Sequence, residues 1–535
     1  MRRTTTLMTG VAAAALPGWT IVASEPVLTH VHPAAVERGA TTEVKLVGKF
    51  DPWPCHIWST VPGLSFSPGE SAGTGSLQVP ADAPAGPCLI RAFNAEGASA
   101  PIAVVIADQP QTLEVEPNDD FRAPQVLTGP VAIVNGRHEK AGDVDSFAIR
   151  ARKGEVLVAR VEAHVLAAGY DALLQVRDEA GRTLAFNHDH VTMDPFLACT
   201  APEDGTYIVQ TMGHAYPAST EIRFAGGETC VYRLHLSTGP VVRHTWPLAA
   251  TRGQPAHLRL EGWNLTEREV KIDRAECETP VPVVLSENPE SVESAVGKPL
   301  PIPSAVSGRL SAPGEVDRYG VRLTKDSVVE ISVTGRGQGS EIDPWVKVFD
   351  FTGKELATND DDGGSLEARL LWTAPADGDY EVAVGDVAQR GGHEVYYRLA
   401  LAPPAPSVQA TITAHTIKLD AGKSAEVKVN IALRHGFKPI LKLIAVDLPA
   451  GVSAAQVDVP ETGGEVTLML TADPAAVAGG TPMRLRLREV EGDREHTVVY
   501  RMATTSENNG VPQGYQQLLI NETDQAWLTV GVAKP

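Results

Sequence analysis

Apolar and polar residues alternate in short runs along most of this chain. Ser146-Phe147-Ala148-Ile149-Arg150 and Glu155-Val156-Leu157-Val158-Ala159-Arg160-Val161 carry the period of two that puts one strand face inside and the other outside. Ser424 to Ile431 and Gly464 to Leu470 repeat the pattern near the C-terminus. No long window holds the 3.6-residue period of a helix. Asp178-Glu179-Ala180-Gly181 and Asp350-Phe351-Thr352-Gly353 have hairpin-turn chemistry, and the 48 glycines and 40 prolines read as further turns. The pattern predicts an all-β chain of tandem antiparallel β-sandwich modules, jelly-roll or immunoglobulin-like.

The chain is 535 residues long, too long for one core, and it repeats internally. At an offset of 172, Val144-Asp145 meets Val316-Asp317, Asp171 meets Asp343, Gly181 meets Gly353 and Asn187 meets Asn359. After a one-residue slip, Asp204-Gly205-Thr206-Tyr207 meets Asp377-Gly378-Asp379-Tyr380, and Tyr232-Arg233-Leu234 later meets Tyr397-Arg398-Leu399. A second repeat at an offset of 214 matches His30, Pro33, Arg38-Gly39 and Gly48 to His244, Pro247, Arg252-Gly253 and Gly262. The expected order is a leader (1–24), an immunoglobulin-like module A (25–111), a sandwich B (112–239) and a partial module A′ (240–285). A second sandwich B′ (286–403) and a C-terminal immunoglobulin-like module C (407–535) follow, with Pro403-Pro404-Ala405-Pro406 as linker. A′ is short, and its partner strands are expected from B′.

The leader changes the setting. Arg2-Arg3, an apolar stretch from Leu7 to Ala23 and small residues at Val22-Ala23-Ser24 have the form of a secretory signal peptide. No second apolar run reaches spanning length, so no transmembrane anchor is expected after cleavage. The expected location is secreted, periplasmic or cell envelope. A net charge of -20 disfavours nucleic acid and anionic membrane as partners and suits divalent cations or plain solubility.

Glu114-x-Glu116-x-Asn118-Asp119 is the strongest site candidate. Alternate residues of an extended segment point the same way, and Asp143 and Asp145 are placed to close an oxygen shell of the kind calcium takes. The alternative is a solvated acidic linker. The 172 offset sends Glu114, Glu116, Asn118 and Asp119 to Ser286, Asn288, Glu290 and Ser291, and Asp143 to Glu315, so no equivalent site is expected in B′. Asn359-Asp360-Asp361-Asp362 and its counterpart Asn187-His188-Asp189-His190 are weaker loop candidates for a cation, polar turns being the plainer reading.

Catalytic signatures are incomplete. Gly69-Glu70-Ser71-Ala72-Gly73 matches a nucleophile elbow in letters, but turn and strand signals follow it where a helix is required. Gly335-x-Gly337-x-Gly339 lacks the helix of a dinucleotide site. Trp53, Trp58, Trp263, Trp345 and Trp372 suit core positions or sugar stacking.

Five cysteines remain. Cys199 and Cys230 occupy places where B′ carries Trp372 and Val395, so a Cys199–Cys230 bridge is expected to replace an apolar contact, with Cys55–Cys88 as its analogue in A and Cys277 unpaired. Buried free thiols are the alternative.

Module B resembles the bacterial pre-peptidase C-terminal domain, the β-sandwich family that includes collagen-binding domains of secreted collagenases. The resemblance rests on Glu114 to Asp120, Gly142-Asp143-Val144-Asp145-Ser146-Phe147, Asp171, Gly181, Asp204-Gly205-Thr206-Tyr207 and Tyr232-Arg233-Leu234, and more loosely on B′. Module A is similar to the TIG-type segments of exported bacterial proteins. The resemblance implies a non-catalytic domain for attachment or export, and linker residues that hold calcium. The expected function is a non-catalytic binding, adhesion or scaffold protein that meets extracellular polysaccharide or protein. The runner-up is an accessory or chaperone subunit of a separate secreted hydrolase or peptidase.

Overall fold

In the computed structural model, residues 24–216, 220, 222–275, 283–293, 299–362, 365–505 and 517–532 are described. The leader up to residue 23 and Cys277 lie outside them. Strands dominate, and helix among the described residues is confined to short 3-10 turns such as His164–Leu166 and Arg336–Gln338.

The alternation read from sequence is the alternation of burial. In Ser424–Arg434, Val427, Val429 and Ile431 point inward while Lys428 and Asn430 point out. Module B is two five-stranded sheets closed over one core that includes Phe147, Tyr170, Leu174 and Tyr232. One sheet runs Thr112–Leu113, Val131–Arg137, Val231–Ser237, Val156–Glu162, Phe196–Thr200. The other runs Gln125–Val126, Asp145–Ala151, Gly205–Ala215, Tyr170–Asp178, Thr183–Asn187.

B′ repeats both sheets in the same order and register. Asp145 pairs with Thr211, and its counterpart Asp317 pairs with Val384. In place of the short strand Gln125–Val126 it has a single parallel bridge, Leu300 with Val321, among the described residues. The duplication is therefore structural as well as textual.

A′ keeps the first hairpin of A, Val241–Trp246 on Ala256–Trp263, and a parallel pair, Ala249–Thr251 on Val284–Ser286. The second strand of that parallel pair runs across the A′–B′ boundary and ends on Ser286, the first residue of B′. These strands enclose a small core of Ala250, Leu258, Ile272 and Ala275.

Strand register also corrects the expected disulfides. Cys199 pairs with Leu157, which stands level with Thr238, while Cys230 lies eight residues before Thr238 on a strand two places away. That is about 26 Å along the sheet, far beyond disulfide reach. Cys55 stands level with Asn94, six residues or about 20 Å from Cys88. All four are free thiols.

The modules close on one another. Trp527 of module C is buried against Phe93 of module A, with ring centroids 4.7 Å apart, and meets Trp58 edge-on at 6.3 Å. Leu89, Ala103 and Met502 form a small apolar cluster across the same junction. B meets B′ where the Arg336 guanidinium donates to Val191 O (2.8 Å).

Candidate metal centre

The entry to module B is built by one short parallel pairing, Thr112–Leu113 on Val131–Arg137, which delivers Glu114 to the end of the core. The Glu114 carboxylate is tied off there. Oε2 accepts the Arg137 N–H (2.7 Å), and Oε1 accepts Asn118 Nδ2 (3.1 Å) and faces the Tyr232 hydroxyl (2.9 Å). The chain then turns back, with Asn118 N–H donating to Glu116 Oε2 (2.9 Å). Asn118 O in turn accepts the Ser146 N–H (3.1 Å), which straps the linker across the strand Asp145–Ala151.

This brings the expected residues together. Ligand oxygens of Glu116, Asp119, Asp143 and Asp145 lie within 4.8 Å of one another, and His138 joins Asp143 and Asp145 in an overlapping group at the same limit. Asp143 and Asp145 are fully buried and Asn118 is nearly so. Glu116 Oε1, Asn118 Oδ1, Asp143 Oδ1 and Asp145 Oδ1 are buried without a hydrogen-bond partner. Orphaned buried oxygens are rare because each costs about 1–3 kcal/mol, and three of these, on Glu116, Asp143 and Asp145, belong to residues of one converging group of carboxylates that could hold a cation. Glu114 departs from expectation: it stands behind the cluster and orients Asn118 and Tyr232 rather than presenting a free oxygen.

The electrostatics agree. Burial, with the neighbouring Asp145 charge, pushes Glu114 up to about 8, and burial pushes Asp145 up to about 7. Asp143 and Glu116 are raised chiefly by burial, while Asp119 is lowered by its hydrogen bond with Asp143 and by Lys140. Tyr232 has one hydroxyl proton, yet it faces Asp145 Oδ2 at 2.7 Å and Glu114 at 2.9 Å. One positive charge, a proton or a metal ion, must compensate the rest. Lys140 supplies part of it from outside, 3.0 Å from Asp119 and 3.6 Å from Asp143.

The alternating acidic letters gave no sign of His138 or Tyr232. His138 is fully buried between the rings of Tyr170 and Tyr232, with Nδ1 2.9 Å from Asp145 Oδ2 outside hydrogen-bond geometry, and burial pushes it down to about 4. Tyr232 left a trace in the repeat. It lies over Gly136, where an added Cβ would meet its ring at 2.2 Å, and Tyr397 lies over Gly308 in the same way at 2.4 Å.

The second copy has a different centre. Arg309 N–H donates to Glu293 Oε2 (2.8 Å), as Arg137 does to Glu114, so the counterpart of Glu114 is Glu293 and not Ser286. The linker is seven residues shorter in B′, which shifts the offset there from 172 to 179. Leu310 stands where B has His138, and Tyr319 where B has Phe147. The Tyr319 and Tyr397 hydroxyls lie 2.6 Å apart, and Tyr397 donates to Asp317 (2.6 Å), so hydroxyls satisfy the carboxylate.

The weaker candidates separate. His188 Nε2 lies 3.0 Å from Asp171, and His188 and Asp189 form a third potential ligand group with it, half exposed. His190 turns away to the B–B′ junction, against Phe196 and Arg243. Gly69–Gly73 is the turn between Ser65–Pro68 and Thr74–Gln78, so Ser71 has strands on both sides and no elbow.

No protein-family model matches the chain. A probable subtilase-type serine protease of Deinococcus radiodurans is 32% identical over 97 residues, which is 18% of this chain and only 13% of the protease. Among solved structures, Escherichia coli alpha-2-macroglobulin activated by porcine elastase aligns with 96% of this chain and 53% of its own, at 11% identity and a TM-score of 0.14. A Clostridium perfringens M60 catalytic domain with two CBM51 domains aligns with 73% of this chain and 56% of its own, at 7% identity and a TM-score of 0.14.

Proposed function

We propose that this chain is an exported, non-catalytic binding and scaffold protein whose first B module is stiffened by a bound calcium ion. The observation that carries the reading is the buried carboxylate group at the A–B junction, three of whose residues, Glu116, Asp143 and Asp145, carry an unpartnered oxygen, with a fourth unpartnered oxygen on Asn118 of the same linker. Five side chains there, Glu116, Asn118, Asp119, Asp143 and Asp145, offer hard oxygen donors, the ligands calcium takes in flexible acidic segments. Three of them, Glu116, Asn118 and Asp119, belong to the segment that joins A to B, so an ion held there fixes the linker to the sandwich. The resemblance to attachment domains and the modular β architecture support binding of extracellular polysaccharide or protein. The local match to a subtilase-type protease favours a second reading, an accessory subunit of a separate secreted peptidase.

Calorimetric titration of calcium chloride into chelator-treated full-length protein tests the cation. The expected result is binding that Glu116→Ala weakens at least about tenfold. No heat from wild type, or equal heat from both proteins, rejects it. A stronger zinc signal that depends on His138 replaces calcium by a nitrogen-seeking ion.

A further inference from the structure

B′ has no counterpart of the acidic centre, but its outer sheet face holds a feature that B lacks. At the matching positions B pairs Leu173 with Met212, both buried. B′ pairs Trp345 with Gly385. A Cβ at residue 385 would meet the indole at 2.2 Å, so the ring occupies the space a side chain there would need. Gly385 is not in the left-handed region, and its lack of a side chain serves the indole rather than a turn.

The exchange opens a groove of about 610 Å³ over the sheet, with half-buried Trp345 in its lining. Trp345 is partly exposed, and Lys347 Nζ lies over its ring, 5.3 Å from the centroid. That approach marks an electron-rich face of the kind on which cations and polarised C–H groups pack. Polar groups surround it. Thr358 lies across from Lys347 on the neighbouring strand, and Gln389 and Asp360 line the groove as well. The side chains of Thr358 and Gln389 and the Trp345 N–H have no protein partner among the described residues. Of the charged groups, Lys347 is paired with Glu355 (2.9 Å) and Asp386 with Arg390 (3.0 Å), which leaves Glu315 and Asp360 as net negative charge.

We propose that this groove is a glycan-binding site in which Trp345 stacks on a pyranose ring and Thr358, Gln389 and Asp360 bond its hydroxyls. A flat aromatic platform beside short neutral hydrogen-bonding groups suits the two faces of a sugar, apolar C–H and polar O–H. The net negative rim turns away uronate and sulfated chains and admits neutral or amino sugars. This deepens the reading of the chain as a binding protein, but it uses a different module from the cation centre.

Affinity electrophoresis of the full-length protein in soluble hydroxyethyl cellulose, glycol chitosan and polygalacturonate, followed by calorimetry with cellohexaose and chitohexaose, tests it. The expected result is retardation by a neutral or amino polymer and none by polygalacturonate. Trp345→Ala should weaken hexasaccharide binding at least about tenfold, and Gly385→Ala, which must lift the indole, should do the same. Thr358→Ala, a surface change, should weaken it about two- to fivefold, and it keeps the test valid should either other variant unfold. Retardation only by polygalacturonate, no retardation at all, or binding indifferent to all three variants overturns the proposal. If calcium binding survives that outcome, the cation reading stands; if calcium binding fails while Trp345-dependent retardation holds, only the cation reading falls.

Discussion

A single position separates the two copies of the sandwich most sharply. His138 is fully buried with no hydrogen-bond partner for either ring nitrogen, and B′ has Leu310 there. A buried polar group without a partner costs about 1–3 kcal/mol. His138→Leu is therefore expected to raise the stability of the cation-free protein by about 1–2 kcal/mol, measured as a higher unfolding midpoint of module B in chelator. Lower stability would mean that the imidazole holds the carboxylates in place. Tyr397 tests the other copy. Removing its hydroxyl with Tyr397→Phe strips Asp317 of a donor and should lower the B′ unfolding midpoint by about 1–3 kcal/mol. The acidic cluster was legible because its spacing alone signals oxygen donors. His138 and Tyr232 were not, since each is one residue on a strand whose neighbours in space are remote in sequence.

At the scale of strands, alternation predicted the type of element correctly, and the repeat predicted its recurrence. Register was harder. The expected Cys199–Cys230 bridge joined residues whose equivalents, Trp372 and Val395, are apolar in the other copy, yet shared character does not put two positions opposite each other. The pairing of Cys199 with Leu157, and of His56 with Phe93, separates the thiols by several strand steps. Non-reducing peptide mapping is expected to find Cys55, Cys88, Cys199 and Cys230 unbridged, and a Cys199–Cys230 peptide would contradict the register. The same difficulty hid Glu293: a constant offset cannot show where seven residues are missing, whereas the Arg309 hydrogen bond can.

Across the whole molecule, modules A and C meet around Arg91, which is fully buried and has no carboxylate partner among the described residues. Its guanidinium bonds Ser99 O at 3.2 Å and Gln525 O at 3.4 Å, and lies 3.4 Å from His415 Nδ1. The Tyr500 ring stands edge-on to His415, Glu25 pairs with Lys418 (2.7 Å), and Arg484 and Arg486 pair with Asp524. Burial, then the Arg91 charge, lowers the His415 pKa from its ordinary 6.5, against a weaker pull from Glu25. A lowered histidine is neutral in the docked state, so docking is fully favoured above about 6.5 and weakens as pH falls below it. Small-angle scattering is expected to show a larger radius of gyration at pH 5 than at pH 7.5, and His415→Gln should remove the change. An unchanged radius would mean that the apolar contacts outweigh the charge.

The contact between the first and last modules makes the chain a circuit instead of a string. In a string, one cut through a linker yields two independent pieces. Here a cut at Pro403-Pro404-Ala405-Pro406 severs the covalent path to module C but leaves it seated on A through Trp527, Phe93 and Trp58. The protein would thus tolerate a single nick at that linker without shedding a module, and two breaks, or one break with acid, would be needed to release it.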